Sequence, residues 1–171
     1  MKKRKESSFR DPYTTVIDHF NRSGVRYVVV GLSGINYYAQ NLSETFATLD
    51  YDLFLEPSLS NVRKAVQSVQ ALGFQLGTGE GAFKLEELKA LVRERRTIVA
   101  MTSEGLMVEL LLKVSAYPFS ELAKDASTFT VGNVPIRVGR LNKLLKSKQI
   151  AGRPKDHHFL KRYQSIFEKE E

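Results

Sequence analysis

The sequence predicts a mixed α/β (α+β) fold, in which a central mixed β-sheet is flanked by helices. Helical and strand-like apolar patterns alternate along the whole chain, and no repeat or shift in composition divides its 171 residues. The last third carries two basic helical segments. This length suits one domain with a core of its own. We therefore expect a single domain over residues 13–171, preceded by a disordered basic arm over residues 1–12.

In the first half of the chain, helices are expected where apolar residues recur at helical spacing. Strands are expected where β-branched or apolar runs end at glycine or proline. The clearest helix is 60–72, because Val62, Val66 and Val69 share one face and Gly73 follows. The expected elements are, in order, a helix at 13–22, a strand at 26–31, a short helix at 34–40, a strand at 49–56 and the helix at 60–72.

In the second half, residues 77–82 are rich in glycine and are expected to form a flexible loop. The dipeptide Gly132-Asn133 favours a hairpin turn, and Pro154 suits the first turn of a helix. The remaining elements expected are, in order, a helix at 83–93, strands at 97–102 and 106–114, a short helix at 118–124, strands at 129–131 and 134–138, and basic helices at 140–150 and 154–168.

The net charge of the chain is strongly positive. A formal charge of +7 and a pI near 9.6 indicate an affinity for polyanions such as nucleotides, RNA or DNA. The excess is concentrated in residues 2–10, with five basic residues and one acid, and in residues 139–162, with eight basic residues and one acid. A surface that only keeps the protein in solution is the alternative.

The composition also excludes several classes of protein. The chain has no cysteine, which excludes disulfides, thiolate zinc sites and cysteine nucleophiles. Its apolar runs are far shorter than the roughly 20 residues of a membrane-spanning helix. The basic start is not followed by the apolar stretch that a signal peptide has. We expect a cytoplasmic protein that does not contact a membrane.

Two aspartates are the first candidate functional residues. Asp50 and Asp52 lie two apart on an expected strand, so both side chains leave the same face of the sheet. Neighbouring carboxylates repel each other, and a divalent cation relieves that repulsion. The alternative is a pair of surface acids on an exposed strand face.

Glu109 is the third candidate, because it is a single acid within the apolar strand 106–114. Such an acid is costly to bury unless it is paired or binds an ion. If this strand lies beside the strand of Asp50 and Asp52, three carboxylates converge. That arrangement is the one that two Mg²⁺ ions need in phosphoryl transfer. A sheet-edge acid that faces water is the alternative.

A glycine-containing loop is expected between the strand at 26–31 and the helix at 34–40. Its residues Gly31, Ser33 and Gly34 would leave backbone N–H groups free to bind phosphate. A tight turn without a ligand is the alternative. Near the C-terminus, Lys148 and Arg153 offer further phosphate ligands, and Asp156 can hold one of them in place.

The order of these pieces resembles the nucleotidyltransferase superfamily, and most closely its small members from toxin–antitoxin and abortive-infection systems. In that resemblance Gly31 begins the family's glycine signature, Asp50 and Asp52 are its paired acids, and Glu109 is its third carboxylate. The segment 148–156, Lys-Gln-Ile-Ala-Gly-Arg-Pro-Lys-Asp, resembles the family's Lys, Gly-Arg-x-x-Asp segment. The resemblance implies a nucleotidyltransferase-like fold.

The resemblance also implies a function, which is the Mg²⁺-dependent transfer of a nucleotidyl group from an NTP, such as ATP, to a hydroxyl acceptor. Two Mg²⁺ ions would be held by the three acids. The basic helices favour RNA, including tRNA, or a protein as the acceptor. Leu32 stands where the family has a second glycine or a serine, which favours an inactive member that binds RNA or a partner protein. A double-stranded nucleic-acid binder of unrelated fold is a third possibility.

Overall fold

The computed structural model describes residues 11–40 and 42–167. Most of the expected basic arm, residues 1–10, lies outside this part of the chain. Within it, none of the helices combines the length and apolar character needed to cross a bilayer. The helices are α1 (Pro12–Ser23), α2 (Gly31–Asn36), α3 (Leu59–Ala71), α4 (Leu88–Arg93), α5 (Phe119–Ala123), α6 (Leu141–Ala151) and α7 (Pro154–Phe167), with 3₁₀ turns at Leu42–Glu44 and Leu85–Glu87.

The strands form one mixed sheet, as the sequence predicts, and this sheet is open at both edges. They are β1 (Tyr27–Val30), β2 (Asp50–Leu55), β3 (Gln75–Thr78), β4 (Gly81–Ala82), β5 (Ile98–Met101), β6 (Met107–Leu111), β7 (Ser127–Val131) and β8 (Val134–Val138). Their order in the sheet is β4-β3-β5-β6-β2-β1-β8-β7. The pairs β2–β6 and β1–β8 are parallel, and the other pairs are antiparallel.

The centre of the sheet is buried by helices that pack against it and against one another. All four residues of β1 are buried, as a central strand requires. Helix α1 buries Val16, Ile17 and Phe20 completely, and α3 does the same with Val62 and Val66. Each such side chain contributes about 1.5–3 kcal/mol by leaving water. These contacts hold the middle strands rigidly in register.

That register brings the ends of three central strands together at one end of the sheet. Strand β1 runs antiparallel to β2, and β2 runs parallel to β6. The last residue of β1, Val30, lies opposite Asp52, and Asp52 lies opposite Glu109. Helix α2 follows β1 directly, and it packs against α6 at the same end of the sheet. The polar residues of three separate segments therefore meet there.

Two expected elements differ from the structure around the glycine-rich segment 77–82. The flexible loop expected there is wrong, because Gly77 pairs with Ala82 and Thr78 with Gly81 in a β3–β4 hairpin. Strand β3 also pairs with β5, so the hairpin adds two strands to the sheet beyond β5. The backbone N–H of Phe83 bonds to the carbonyl of Leu76, which continues this hairpin. Helix α4 consequently begins at Leu88 and not at residue 83.

Two expected helix starts also move. Helix α1 includes Pro12, and the Asp11 carboxylate caps it by accepting a hydrogen bond from the backbone N–H of Thr14 at 2.9 Å. Residues 11 and 12 thus belong to this helix and its cap, although they fall within the range expected to be the arm. Helix α2 begins at Gly31, three residues before the expected start. The segment 31–34 is therefore the first turn of a helix and not a loop.

Candidate functional site

Three acids converge at the end of the sheet where the central strands β1, β2 and β6 meet. Asp52 and Glu109 are direct neighbours across the parallel β2–β6 pair, and Asp50 lies two residues before Asp52 on the same face. Each offers a carboxylate oxygen, and these oxygens all lie within 4.8 Å of one another. All three side chains are half-buried. The convergence expected from the sequence is confirmed.

Asp52 carries the clearest sign of a missing ligand. Its Oδ1 atom is buried and has no hydrogen-bond partner among the described residues. Burial and the charges of Glu109 and Asp50 raise the pKa of Asp52 to about 7, against an opposing effect from Lys148. A buried carboxylate oxygen without a partner is costly. A divalent cation with a preference for oxygen ligands fits this donor set and would supply the missing partner.

Gly31 makes room for the Asp52 carboxylate. A Cβ atom at position 31 would lie 2.2 Å from Oδ2 of Asp52, which is far inside contact distance. The backbone of Gly31 also has a φ of +65°, a conformation that side chains disfavour. The residue that the sequence associates with phosphate thus has a second role, because it allows the chain to pass close to an acidic ligand.

Ser33 and Gly34 make internal contacts, and neither lines the larger cavity beside the three acids. The Ser33 hydroxyl donates to the carbonyl of Val30 at 2.8 Å and accepts from the backbone N–H of Asp52 at 3.0 Å. A Cβ at Gly34 would lie 3.0 Å from Leu144 of α6. Because α2 begins at Gly31, both residues lie within the helix, where they fix β1 to β2 and α2 to α6. Their expected contact with phosphate stays a prediction.

Lys148 and Arg153 meet at the buried carboxylate of Asp156, which is 1% exposed. Lys148 Nζ lies 3.2 Å from Oδ1, and Arg153 Nε lies 2.7 Å from Oδ2. Burial alone would raise the pKa of Asp156, but the hydrogen bonds from Arg153 and Lys148 outweigh it and hold that pKa below its usual range. The sequence led us to expect that Asp156 holds one of these cations, and in the structure it holds both.

A cleft of about 650 Å³ separates the three acids from α6 and α7. Besides Lys148 and Arg153, its walls include Arg95, Lys113 and Lys155, which the sequence analysis did not identify. Within residues 11–40 and 42–167, none of these three additional cations forms an ion pair with an acid. The Arg95 guanidinium does donate hydrogen bonds to the carbonyls of Pro57 and Val92, at 2.9 and 3.0 Å. Leu32 also lines the cleft and is half-buried.

One of the missed cations could have been found from the sequence. Lys113 follows Glu109 and Leu111 at a spacing of two, so the strand pattern places all three on one face. Lys155 lies beside Arg153 in a segment already singled out. Arg95 gives no such signal, because it comes from the turn between α4 and β5, where it adopts a φ of +55°.

A second, smaller cavity of about 270 Å³ opens on the other side of Asp50. We call it the tyrosine pocket. It is lined by Asp11, Tyr13, Ser33, Asn36, Tyr37, Thr48, Asp50 and Tyr51. The rings of Tyr13 and Tyr51 stack with centroids 4.7 Å apart, and the hydroxyls of Tyr37 and Tyr51 are 2.5 Å apart. Burial and the charges of Asp50 and Asp11 raise the pKa of Tyr13.

The comparisons with known protein families and with curated proteins find no match to this chain. An acidic patch that can hold a divalent cation lines the same cleft as five lysine and arginine side chains. Such a lining suits a ligand that is itself a complex of a divalent metal and several phosphate groups.

Proposed function

We propose that this chain is a Mg²⁺-dependent nucleotidyltransferase, which transfers a nucleotidyl group from an NTP to a hydroxyl acceptor. The observation that carries the proposal is the convergence of Asp50, Asp52 and Glu109 around an unpartnered carboxylate oxygen, in a cleft that is also lined by five cations. The small nucleotidyltransferases of toxin–antitoxin systems, which the sequence resembles, are the context that we propose for it.

The three acids would hold the metal. Asp50, Asp52 and Glu109 supply the hard oxygen ligands that Mg²⁺ prefers, and two ions suit three carboxylates at this spacing. When bound, Mg²⁺ neutralises charge on the phosphates and lowers the pKa of a hydroxyl that attacks them. Gly31 leaves room for the Asp52 carboxylate itself, and Ser33 fixes the backbone of Asp52 through its hydroxyl. Both residues act on the position of the acid.

The cations would bind the phosphates of the NTP. Lys113, Lys155 and Arg95 have no acidic partner among the described residues, so they can contact phosphate without breaking an ion pair. Lys148 and Arg153 are held by Asp156, which keeps both side chains in place before the ligand arrives. A site that is ordered in advance loses less conformational entropy on binding.

Label transfer tests the proposal directly. The purified protein is incubated with Mg²⁺, cell RNA and each of the four α-³²P NTPs, and incorporation into RNA and protein is measured. We expect incorporation from at least one NTP. Asp52→Asn should reduce it by more than about a hundredfold, since even partners outside the metal's own ligands affect activity by ten- to a hundredfold. No incorporation with any NTP, together with no Mg²⁺ binding, would contradict the proposal.

A second candidate is an inactive protein of the same general construction that binds RNA or a partner protein through its basic helices. Leu32 favours it, because this apolar side chain lines the cleft where the family signature has a glycine or serine. This candidate predicts RNA binding that is unchanged by Asp52→Asn and that does not require Mg²⁺. Filter binding with and without EDTA separates the two candidates.

A further inference from the structure

The two outer strands of the sheet differ in how they are protected against pairing with another chain. An edge strand has unpaired backbone N–H and C=O groups, and proteins commonly protect it by shortening it or by placing charges or proline on it. Strand β4 is a short edge of this kind, since it consists only of Gly81 and Ala82. Strand β7, at the opposite edge, has the sequence Ser-Thr-Phe-Thr-Val, without a charge or a proline. This edge is therefore open to another strand.

The register of the β7–β8 hairpin decides which backbone groups of β7 point outward. Val131 lies opposite Val134 across a two-residue turn, so these two residues exchange hydrogen bonds, and every second residue of β7 does the same with β8. The backbone groups of Thr128 and Thr130 therefore point away from β8. In the part of the chain that the structure describes, nothing donates to these groups or accepts from them. Both side chains are exposed, so each copy presents two donors and two acceptors to the solvent.

The sequence of β7 is complementary to itself. When a second β7 lies antiparallel beside the first, with the two-fold axis at Phe129, Thr128 of each copy lies opposite Thr130 of the other. These are the residues whose backbone groups point outward, so the two strands form four backbone hydrogen bonds. Like charges that face each other would destabilise such a pair, but β7 has none, although the chain carries a net charge of +7. A second copy thus satisfies the outward groups of this edge without electrostatic repulsion between the paired strands.

Phe129 adds an aromatic contact at the two-fold axis. Its ring is half-buried, and its centre lies 4.9 Å from that of Tyr38 and 5.6 Å from that of Tyr37. The Tyr38 hydroxyl in turn donates to the hydroxyl of Ser127 at 3.0 Å. In the antiparallel pair, Phe129 occupies a position without hydrogen bonds to the other strand, where opposite side chains come closest. The two Phe129 rings therefore meet, and aromatic pairs of this kind stabilise paired strands.

We propose that two copies of this chain form a dimer through β7, whose strands pair antiparallel about Phe129 and join the two sheets into one. The proposal does not depend on the proposed function, because none of residues 127–131 lines the cleft or the tyrosine pocket. A contact made mainly by two strands of five residues is small beside the roughly 1,200–2,000 Å² of a standard interface. The dimer is therefore weak, with a dissociation constant on the order of 10–100 µM.

Sedimentation velocity measures the equilibrium between monomer and dimer in the full-length protein, freed of nucleic acid, at roughly 5–500 µM. Thr130→Pro removes one outward N–H donor from each copy, and it spares the β7–β8 hydrogen bonds because proline is tolerated where the N–H faces solvent. We expect the dissociation constant to rise at least about tenfold. Thr130→Val is the matched control, since it changes the side chain and keeps the donor. Its dissociation constant should stay within about twofold of that of the wild type.

A second variant, which combines Thr128→Lys with Thr130→Lys, guards against a proline variant that does not fold. It places lysine opposite lysine across the contact and leaves the backbone unchanged, so it should be monomeric over the same range of concentrations. Hydrogen exchange locates the contact, because the amides of Thr128 and Thr130 should exchange more slowly at high protein concentration. A wild type that stays monomeric would overturn the proposal. A dimer that either folded variant retains, that Thr130→Val disrupts, or that leaves exchange in β7 unchanged would do so as well.

Discussion

Gly31 and Asp52 depend on each other at the level of single atoms. The carboxylate of Asp52 occupies the space that a Cβ at position 31 would need. This arrangement lets β1 turn directly into α2 while an acid stands beside the turn. Ser33 completes the contact by linking the carbonyl of Val30 to the backbone N–H of Asp52. A short polar contact network thus sets the position of one metal ligand.

Substitution of Gly31 by alanine should therefore damage the metal site more than the fold. We expect Mg²⁺ affinity to fall by about ten- to a hundredfold, as when a group that orients a ligand is disturbed. Isothermal titration calorimetry measures this change. Gly24→Ala is the control, since Gly24 has a similar φ of +70° but no atom within 4 Å of an added Cβ. It should cost about 1 kcal/mol of stability and leave Mg²⁺ affinity unchanged. Equal Mg²⁺ affinities in the two variants would contradict this account of Gly31.

At the scale of elements, the junction between α6 and α7 depends on one buried acid. Asp156 pairs with Lys148 from α6 and Arg153 from the connection between the helices. Lys148 Nζ also lies 5.3 Å from the ring centre of Phe159 on α7. The ring of Phe46, which precedes β2, packs edge-on against Phe159 at 4.7 Å. These contacts hold the cationic wall of the cleft against the strand that carries the acids.

Asp156→Asn should destabilise this junction. We expect a loss of about 3 kcal/mol in the free energy of unfolding, as is typical when one partner of a buried ion pair is removed. Most of the loss comes from Lys148, whose side chain is 12% exposed, whereas Arg153 is 55% exposed and remains hydrated. Urea denaturation measures the change. Glu121→Gln breaks an exposed pair with Lys124 and should leave stability nearly unchanged. A similar effect of the two substitutions would show that the buried pair has no special weight.

The segment that follows β6 should contribute to nucleotide binding through Lys113. This side chain is exposed, lines the cleft and lies two residues after the last residue of β6. Lys113→Ala should raise the KM for NTP about tenfold, because one charge-assisted contact with phosphate is lost. Lys89→Ala is the control, since Lys89 is exposed on α4 and lines neither cavity. A KM for Lys113→Ala equal to that of the control would exclude this contact.

For the whole molecule, the site predicts how stability depends on pH in the absence of metal. The pKa of Asp52 is raised to about 7 in the folded protein, whereas it is about 3.9 in an unfolded chain. Between these values the folded state binds a proton that the unfolded state has released. The contribution of Asp52 to the free energy of unfolding therefore falls as the pH rises from about 4 to about 7.

Mg²⁺ should reverse this loss, because it replaces the proton between the acids. The check is urea denaturation across this pH range, in EDTA and in Mg²⁺, for the wild type and for Asp52→Asn. The wild type in EDTA should lose more stability with rising pH than the variant does, and Mg²⁺ should stabilise the wild type most above pH 7. Identical slopes for the two proteins in EDTA would contradict the shifted pKa of Asp52.

The opposite sign holds for Asp156. Its folded pKa lies below the usual range, so its stabilising effect is present above about pH 4 and is lost as the pH falls further. A rise in pH thus lowers the free energy of unfolding through Asp52 and increases it through Asp156, each in its own pH range. Only the contribution of Asp52 responds to a divalent cation, which separates the two in the experiment described above.

The sequence alone determined the elements that depend on local patterns. Apolar spacing predicted α1 and α3, and alternation placed Asp50 and Asp52 on one face of β2. It also identified Glu109 as an acid that needs an explanation. Local patterns were insufficient at 77–82, where the glycines suggest a loop but pairing with β5 makes a strand.

Only the tertiary structure decided which segments meet. That β6 lies beside β2, so that Glu109 faces Asp52, follows from strand pairing between residues more than fifty positions apart. The same holds for the space that Gly31 leaves for Asp52 and for the cation that Arg95 adds from a distant turn. Periodicity is set by neighbouring residues and can be read along the chain. Sheet order is set by the burial of the whole core, so the chemistry of this site appears only when the chain is folded.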